Sequence, residues 1–173
     1  MCGIAGFVSL NGNRPDPDRL NRMVSTLRHR GPDDRGAFCD ATAALGAARL
    51  SIIDVAGGHQ PISVEDGAIT VVQNGEIYNY VELRADLERR GRRFATACDT
   101  EVIAHLYATE GVAGFQKMRG MFAVAVWDAV RQQLVLARDR VGKKPLYYLH
   151  RNGELLFGSE TKAILAALPD VPA

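Results

Sequence analysis

The sequence predicts an α+β protein in which antiparallel sheets pack on one another and a few helices cover their outer faces. Three observations carry this expectation. Apolar runs come in pairs around turn signals, most clearly Leu146–Leu149 and Glu154–Phe157 on either side of Asn152–Gly153. Helical periodicity is confined to a few segments. Met121–Trp127 and Gln133–Ala137 are near-continuous apolar runs, the pattern of strands covered on both faces. A chain of 173 residues, 47 % hydrophobic and 24 % charged, fits one domain burying roughly 70 % of its unfolded surface, enough for a core without disulfide or metal.

In chain order, Met1–Leu10 reads as a strand ended by Asn11–Gly12. A helix follows, capped by Asp16, with Pro17 at its first position and Leu20, Met23, Val24 and Leu27 at i, i+3, i+4, i+7. It closes on the cations Arg28, His29 and Arg30 before Gly31–Pro32. Strand-like runs lie near Gly36–Cys39, Ala43–Ile53 and Ala68–Gln73. Asn79, with Glu82 three residues on, suits the start of a second helix with Tyr80, Leu83 and Leu87 inward and Gly91 at its end. Asp99 or Thr100 caps a third, which turns Val102, Ile103, Leu106 and Tyr107 to the core and stops at Gly111. After the terminal hairpins, Ser159 starts a last short helix.

Composition excludes several classes of function. Lys plus Arg is 21 and Asp plus Glu 20, so the net charge of +1 offers no general attraction to nucleic acid or an anionic membrane. No apolar run approaches the roughly 18 residues of a membrane span. The start lacks the basic residues and long apolar stretch of a secretory leader, which makes a cytoplasmic location the expectation. Three widely spaced cysteines, Cys2, Cys39 and Cys98, support neither a disulfide framework nor a zinc site, and no metal-binding residues are expected.

A few residues could carry chemistry. Trimming of Met1 would make Cys2 terminal, so that one residue holds a thiol and a primary amine. An α-amine titrates at about 7.7–8.0, which suits it to proton exchange beside a thiol nucleophile. A retained Met1 would acylate that amine and remove the base. Cys2 could equally be a small apolar residue entering the first strand. Asn74-Gly75 reads as a hairpin turn, or, because a helix and not a strand follows Glu76, as a strand–loop–helix junction offering two donors to an oxyanion. Arg49, inside an apolar strand, needs a carboxylate: an internal partner, or a substrate's. Asp99 could cap its helix or meet an ammonium group. Arg138-Asp139-Arg140 reads as a solvated ion-pair run.

Taken in order, Met1-Cys2-Gly3-Ile4-Ala5-Gly6, His29–Asp34, Arg49–Asp54, Asn74-Gly75-Glu76-Ile77-Tyr78-Asn79, Asp99-Thr100-Glu101-Val102, Arg119–Phe122, Ala137–Arg140, Lys144–Tyr148 and Ser159-Glu160 closely resemble the glutaminase (class II glutamine amidotransferase) domain of glutamine-hydrolysing asparagine synthetases. The resemblance implies the four-layer αββα sandwich of N-terminal nucleophile hydrolases. It implies a glutaminase domain over 1–168, with 169–173 the start of a linker or a cut end. Cys2 would be the nucleophile, and the Asn74 side chain and Gly75 N–H the oxyanion hole. Arg49 would bind the α-carboxylate of L-glutamine, and Glu76 and Asp99 its α-ammonium. Leu50, Ser51, Ile52 and Ile53 would shape the floor of the pocket and Asn74–Glu76 its wall.

It further implies glutamine hydrolysis through a Cys2 thioester, with ammonia passed to an ATP-dependent synthetase domain that amidates aspartate. That C-terminal partner, with its ATP and Mg, is absent from this sequence, so no cofactor is expected here. A homodimer is an assembly the resemblance leaves open. The rival readings are a glutaminase domain serving a different acceptor and a glutamine-binding module without turnover. Departures from the family pattern are Ala47 and Ala48 before Arg49, Cys98 for a frequent Ser, and Gln73 and Lys143 where apolar residues are frequent.

Overall fold

Residues 2–168 are described by the computed structural model. Met1, on whose removal the terminal-amine expectation depends, and 169–173, expected as a linker or cut end, lie outside the described residues.

Nine strands form two antiparallel sheets among these residues. The first has the order β2-β3-β1-β9-β8, with β1 at Gly3–Ser9, β2 at Asp34–Cys39, β3 at Ala43–Arg49, β8 at Tyr147–Arg151 and β9 at Glu154–Gly158. The second has the order β4-β5-β6-β7, built from Ile62–Val64, Ile69–Ile77, Gly120–Asp128 and Gln133–Arg138. The alternation of side chains along each strand sorts the residues into layers. In β1, Ile4 and Val8 join Ala43, Leu45 and Ala47 of β3 and Val72, Ala125 and Trp127 of the second sheet in the core between sheets. Ala5 and Phe7 point the other way, onto α1 (Pro17–Ser25) and α4 (Thr161–Leu165) through Leu20, Met23, Ala163 and Ile164. Val71 and Ile77 of β5 pack outward on α2 (Tyr80–Arg89) and α3 (Asp99–Glu110) through Leu87, Val102, Ile103 and Leu106. The result is the expected αββα stack.

Several boundaries differ from the sequence expectation. α1 stops at Ser25, because Leu27 and Arg28 bond back to Val24 and Ser25 in tighter turns. Its Asp16 cap is present, with carboxylate oxygens accepting from Asp18 and Arg19 N–H. β3 stops at Arg49, four residues short of Ile53. β5 runs on to Ile77, so Asn74-Gly75-Glu76 lies inside a strand, paired in register with Ala123, Phe122 and Met121 of β6. A turn is the local preference of Asn-Gly; a full-length neighbouring strand overrides it. Asn79 does not cap α2 with its side chain. It instead bridges to Arg119 N–H at 2.8 Å and Lys117 O at 3.0 Å. Cys98 occupies the position before α3, making Asp99 its first helical residue, and α4 starts at Thr161. No helix among the described residues is long and apolar enough to cross a membrane.

Candidate active site

The side-chain alternation that builds the core also assembles a pocket at one end of the sandwich. Arg49 continues the inward series Ala43, Leu45, Ala47 past the edge of the core. Cys2 immediately precedes β1, whose Gly3 pairs with Ala48, so the thiol lies beside the end of β3. Leu50 N–H donates to Cys2 Sγ at 3.4 Å, and the thiol donates to Leu50 O at 3.6 Å. Asn74 lies on the inner face of β5, and Asp99 at the start of α3 overlooks the strand from outside. These residues surround one cavity of about 210 Å³ lined by Cys2, Arg49, Leu50, Ile52, Ile53, Asn74, Gly75, Glu76 and Asp99. It is smaller than a drug-sized pocket and suits a small metabolite.

Ser51 alone of the expected site residues does not line this cavity. Its N–H is committed to Asp33 Oδ2 at 2.8 Å, which anchors the loop.

Arg49 is 4 % exposed, and its internal partners are not the carboxylate a buried arginine was expected to need. The guanidinium donates to three backbone carbonyls: Ile53 O at 2.9 Å, Asp54 O at 2.8 Å and Val55 O at 3.3 Å. The loop after β3 thus wraps around it. Asp54 secures the loop, accepting from Gly57 N–H and from Ala97 N–H just before α3. Gly58 closes it: a Cβ there would lie 2.6 Å from Arg49 Nη2. The carbonyls orient the arginine without neutralising its charge, which remains available to an anion.

Asp99 Oδ2 accepts from Ile77 N–H at 2.8 Å and from Gln73 Nε2 at 2.9 Å. Burial pushes its carboxyl up from the ordinary value, and these two donors offset part of the rise. Gly75 sits at φ 142° inside β5, and a Cβ on it would lie 1.9 Å from Met121 O, so only glycine fits this close crossing. Asn74 Nδ2 reaches Ser159 Oγ at 3.4 Å, and Asn74 Oδ1 is buried without a partner. Orphaned buried polar atoms are rare enough to call for an explanation, and a catalytic role is one.

Sequence reasoning missed the scaffold behind these groups. Ser159 Oγ accepts from Ile4 N–H at 2.9 Å, tying β1 to the Asn74 side chain. Arg30, read only as a cationic helix end, donates from Nε to Cys2 O and from Nη1 to Glu160, both at 2.9 Å. Burial would raise the Glu160 carboxyl, but hydrogen bonds from Arg30, Lys162 and His29 outweigh it and hold it at about 2. Asp139 is buried rather than solvated. It accepts from the N–H groups of Phe122, Lys143 and Lys144, and so places the loop carrying both lysines at the cavity wall.

A family model described as a glutamine amidotransferase domain matches residues 1–172. The chain belongs to this family. Among relatives of this amidotransferase domain, Asparagine synthetase [glutamine-hydrolyzing] 2 of Bacillus subtilis (strain 168) is 41 % identical over 169 residues, which cover 96 % of this chain and 22 % of that protein. Asparagine synthetase [glutamine-hydrolyzing] 3 of the same strain is 40 % identical over 176 residues, covering 100 % of this chain and 28 % of that protein. The domain therefore spans about a quarter of the length of these curated relatives. A solved structure, glutamine phosphoribosylpyrophosphate amidotransferase from B. subtilis complexed with ADP and GMP, superposes with a TM-score of 0.75 at 20 % identity, over 96 % of this chain and 43 % of that one. That likeness supports the four-layer αββα fold of the amidotransferase domain.

Proposed function

We propose that this domain hydrolyses L-glutamine to glutamate and ammonia, and that it is the glutaminase half of an asparagine synthetase. The observation that carries the reading is the convergence of Cys2, Arg49, Asn74–Glu76 and Asp99, remote in sequence, around one small cavity. In this reading removal of Met1 frees the Cys2 amine, and the domain runs over 1–168. Arg49 takes the α-carboxylate of glutamine; Asp99 and Glu76 take its α-ammonium. A site built around buried charges rejects analogues lacking either charge.

The Cys2 thiolate, facing Leu50 N–H, attacks the side-chain carboxamide carbon, and a C–S bond forms. The oxyanion is held by Asn74 and by Gly75 N–H. Asn74 Nδ2 donates one proton to Ser159 Oγ at 3.4 Å, which holds the side chain, and its second N–H is the oxyanion donor. The C–N bond breaks as the Cys2 ammonium protonates the leaving nitrogen, and ammonia departs. Water then cleaves the γ-glutamyl thioester, releasing glutamate and restoring the thiol. Sulfur and amine supply nucleophile and acid–base group, so this step calls on no metal or cofactor; ATP and Mg serve the synthetase partner, which amidates aspartate in the cytoplasm. The test is a glutamate-release assay on the intact protein with glutamine, with and without aspartate and ATP-Mg. Glutamate formation, with asparagine appearing when all three are present, is expected. Glutamine bound but unchanged would overturn the reading, and glutamate without asparagine would point to a different acceptor.

A further inference from the structure

We infer that Gln73 is a positioning residue for substrate selection, orienting the Asp99 carboxylate toward the ammonium group of glutamine. This rests on the proposed role of Asp99 as an ammonium contact. Gln73 does not line the cavity and is 1 % exposed. It lies in the outward series of β5 with Val71, facing the first turn of α3.

A closed set of hydrogen bonds determines which way its amide points. Thr100 Oγ1 donates to Gln73 Oε1 at 2.7 Å, while Gln73 Nε2 donates to Asp99 Oδ2 at 2.9 Å. A carboxylate can only accept, so the amide nitrogen must face Asp99 and its oxygen Thr100. Gln60 locks the arrangement. Its Oε1 accepts from Gln73 N–H at 2.7 Å, and its Nε2 donates to Thr100 Oγ1 at 3.2 Å, which leaves the Thr100 proton for Gln73. Ile77 N–H makes the second bond to the same oxygen, Oδ2, and Oδ1 takes part in neither. Two donors on one oxygen fix the carboxylate plane and leave the other oxygen for a cation at the cavity. Without Gln73, Oδ2 of Asp99 would lose one of its two donors from β5, and the carboxylate would be held less firmly in this orientation. An apolar residue here would serve the strand equally well as packing; the amide adds an orienting hydrogen bond to a charged group.

The test compares glutamine with 4-carbamoylbutanoate, which has the same carboxylate and amide but no α-amino group. Hydrolysis of both is measured in the intact protein and in Gln73→Met and Asp99→Asn. Wild type is expected to favour glutamine in kcat/KM, and Asp99→Asn to erase that preference. Gln73→Met, which keeps the length and loses the amide, is expected to lower kcat/KM for glutamine about tenfold through KM and to leave that for 4-carbamoylbutanoate within twofold. Equal losses on both substrates, or no loss on either, would overturn the inference while leaving the Asp99 assignment standing. Absence of any wild-type preference would instead overturn the assignment on which it rests. Should Gln73→Met fail to fold, Thr100→Val removes the anchor of the Gln73 oxygen: a selective loss of about threefold on glutamine is expected, and an unchanged ratio of the two substrates would overturn the inference.

Discussion

Cys2→Ala is expected to lower glutamine hydrolysis by at least about a thousandfold, the scale of losing a catalytic nucleophile, while Cys39→Ala and Cys98→Ala stay within tenfold of wild type. The three thiols occupy different environments. Cys2 lines the cavity with Leu50 N–H aimed at its sulfur. Cys98 also lines the cavity, but burial pushes its thiol up, favouring the inert protonated form, and Thr96 Oγ1 lies 3.1 Å from the sulfur. Cys39 is on β2, and its thiol is raised by partial burial and by the nearby Asp40 and Asp16 charges. Initial rates of glutamate release from the three variants, at matched folded concentration, check this. Comparable losses in all three would contradict the assignment.

Arg49→Met is expected to reduce kcat/KM for glutamine about a thousandfold, through KM more than kcat. Two losses combine. The substrate carboxylate loses its cation, and a charge-assisted hydrogen bond is worth about 1.5–3 kcal/mol. The carbonyls of Ile53, Asp54 and Val55 lose their common donor, so the loop that forms the cavity floor loosens. Arg49→Lys should rescue little, because one ammonium cannot span three carbonyls and still meet a carboxylate in bidentate fashion. Steady-state kinetics on both variants test this; a wild-type KM in Arg49→Lys would show that the planar fork is dispensable.

The layered fold was legible because its signals are local. Periodicity marked the apolar faces of α1 and α3, and Asn152–Gly153 marked the hairpin between β8 and β9. The polar site was legible in part, since a buried-context Arg49 and an early Cys2 stand out from their neighbours. What stayed hidden depends on contacts between distant segments. The strand character of Asn74–Glu76 comes from its pairing with β6, which begins 43 residues after Ile77, at Gly120. Ser159 looked like a helix start, yet it binds Ile4, 155 residues away. The three backbone carbonyls that hold Arg49 stayed hidden because only the folded path of the loop brings them to the guanidinium. Gln73 carried a weak signal, an amide inside an apolar strand, whose meaning emerges only once α3 sets Asp99 and Thr100 against it.

The most direct measurement of the central claim is covalent capture. The intact protein is incubated with 6-diazo-5-oxo-L-norleucine, an electrophilic glutamine mimic with both head-group charges, then digested and mapped by mass spectrometry. One adduct on Cys2 is expected, with an unmodified α-amine on the same residue, and protection by excess glutamine. An adduct on Cys98 or Cys39, or none with Cys2 unmodified, would contradict the account.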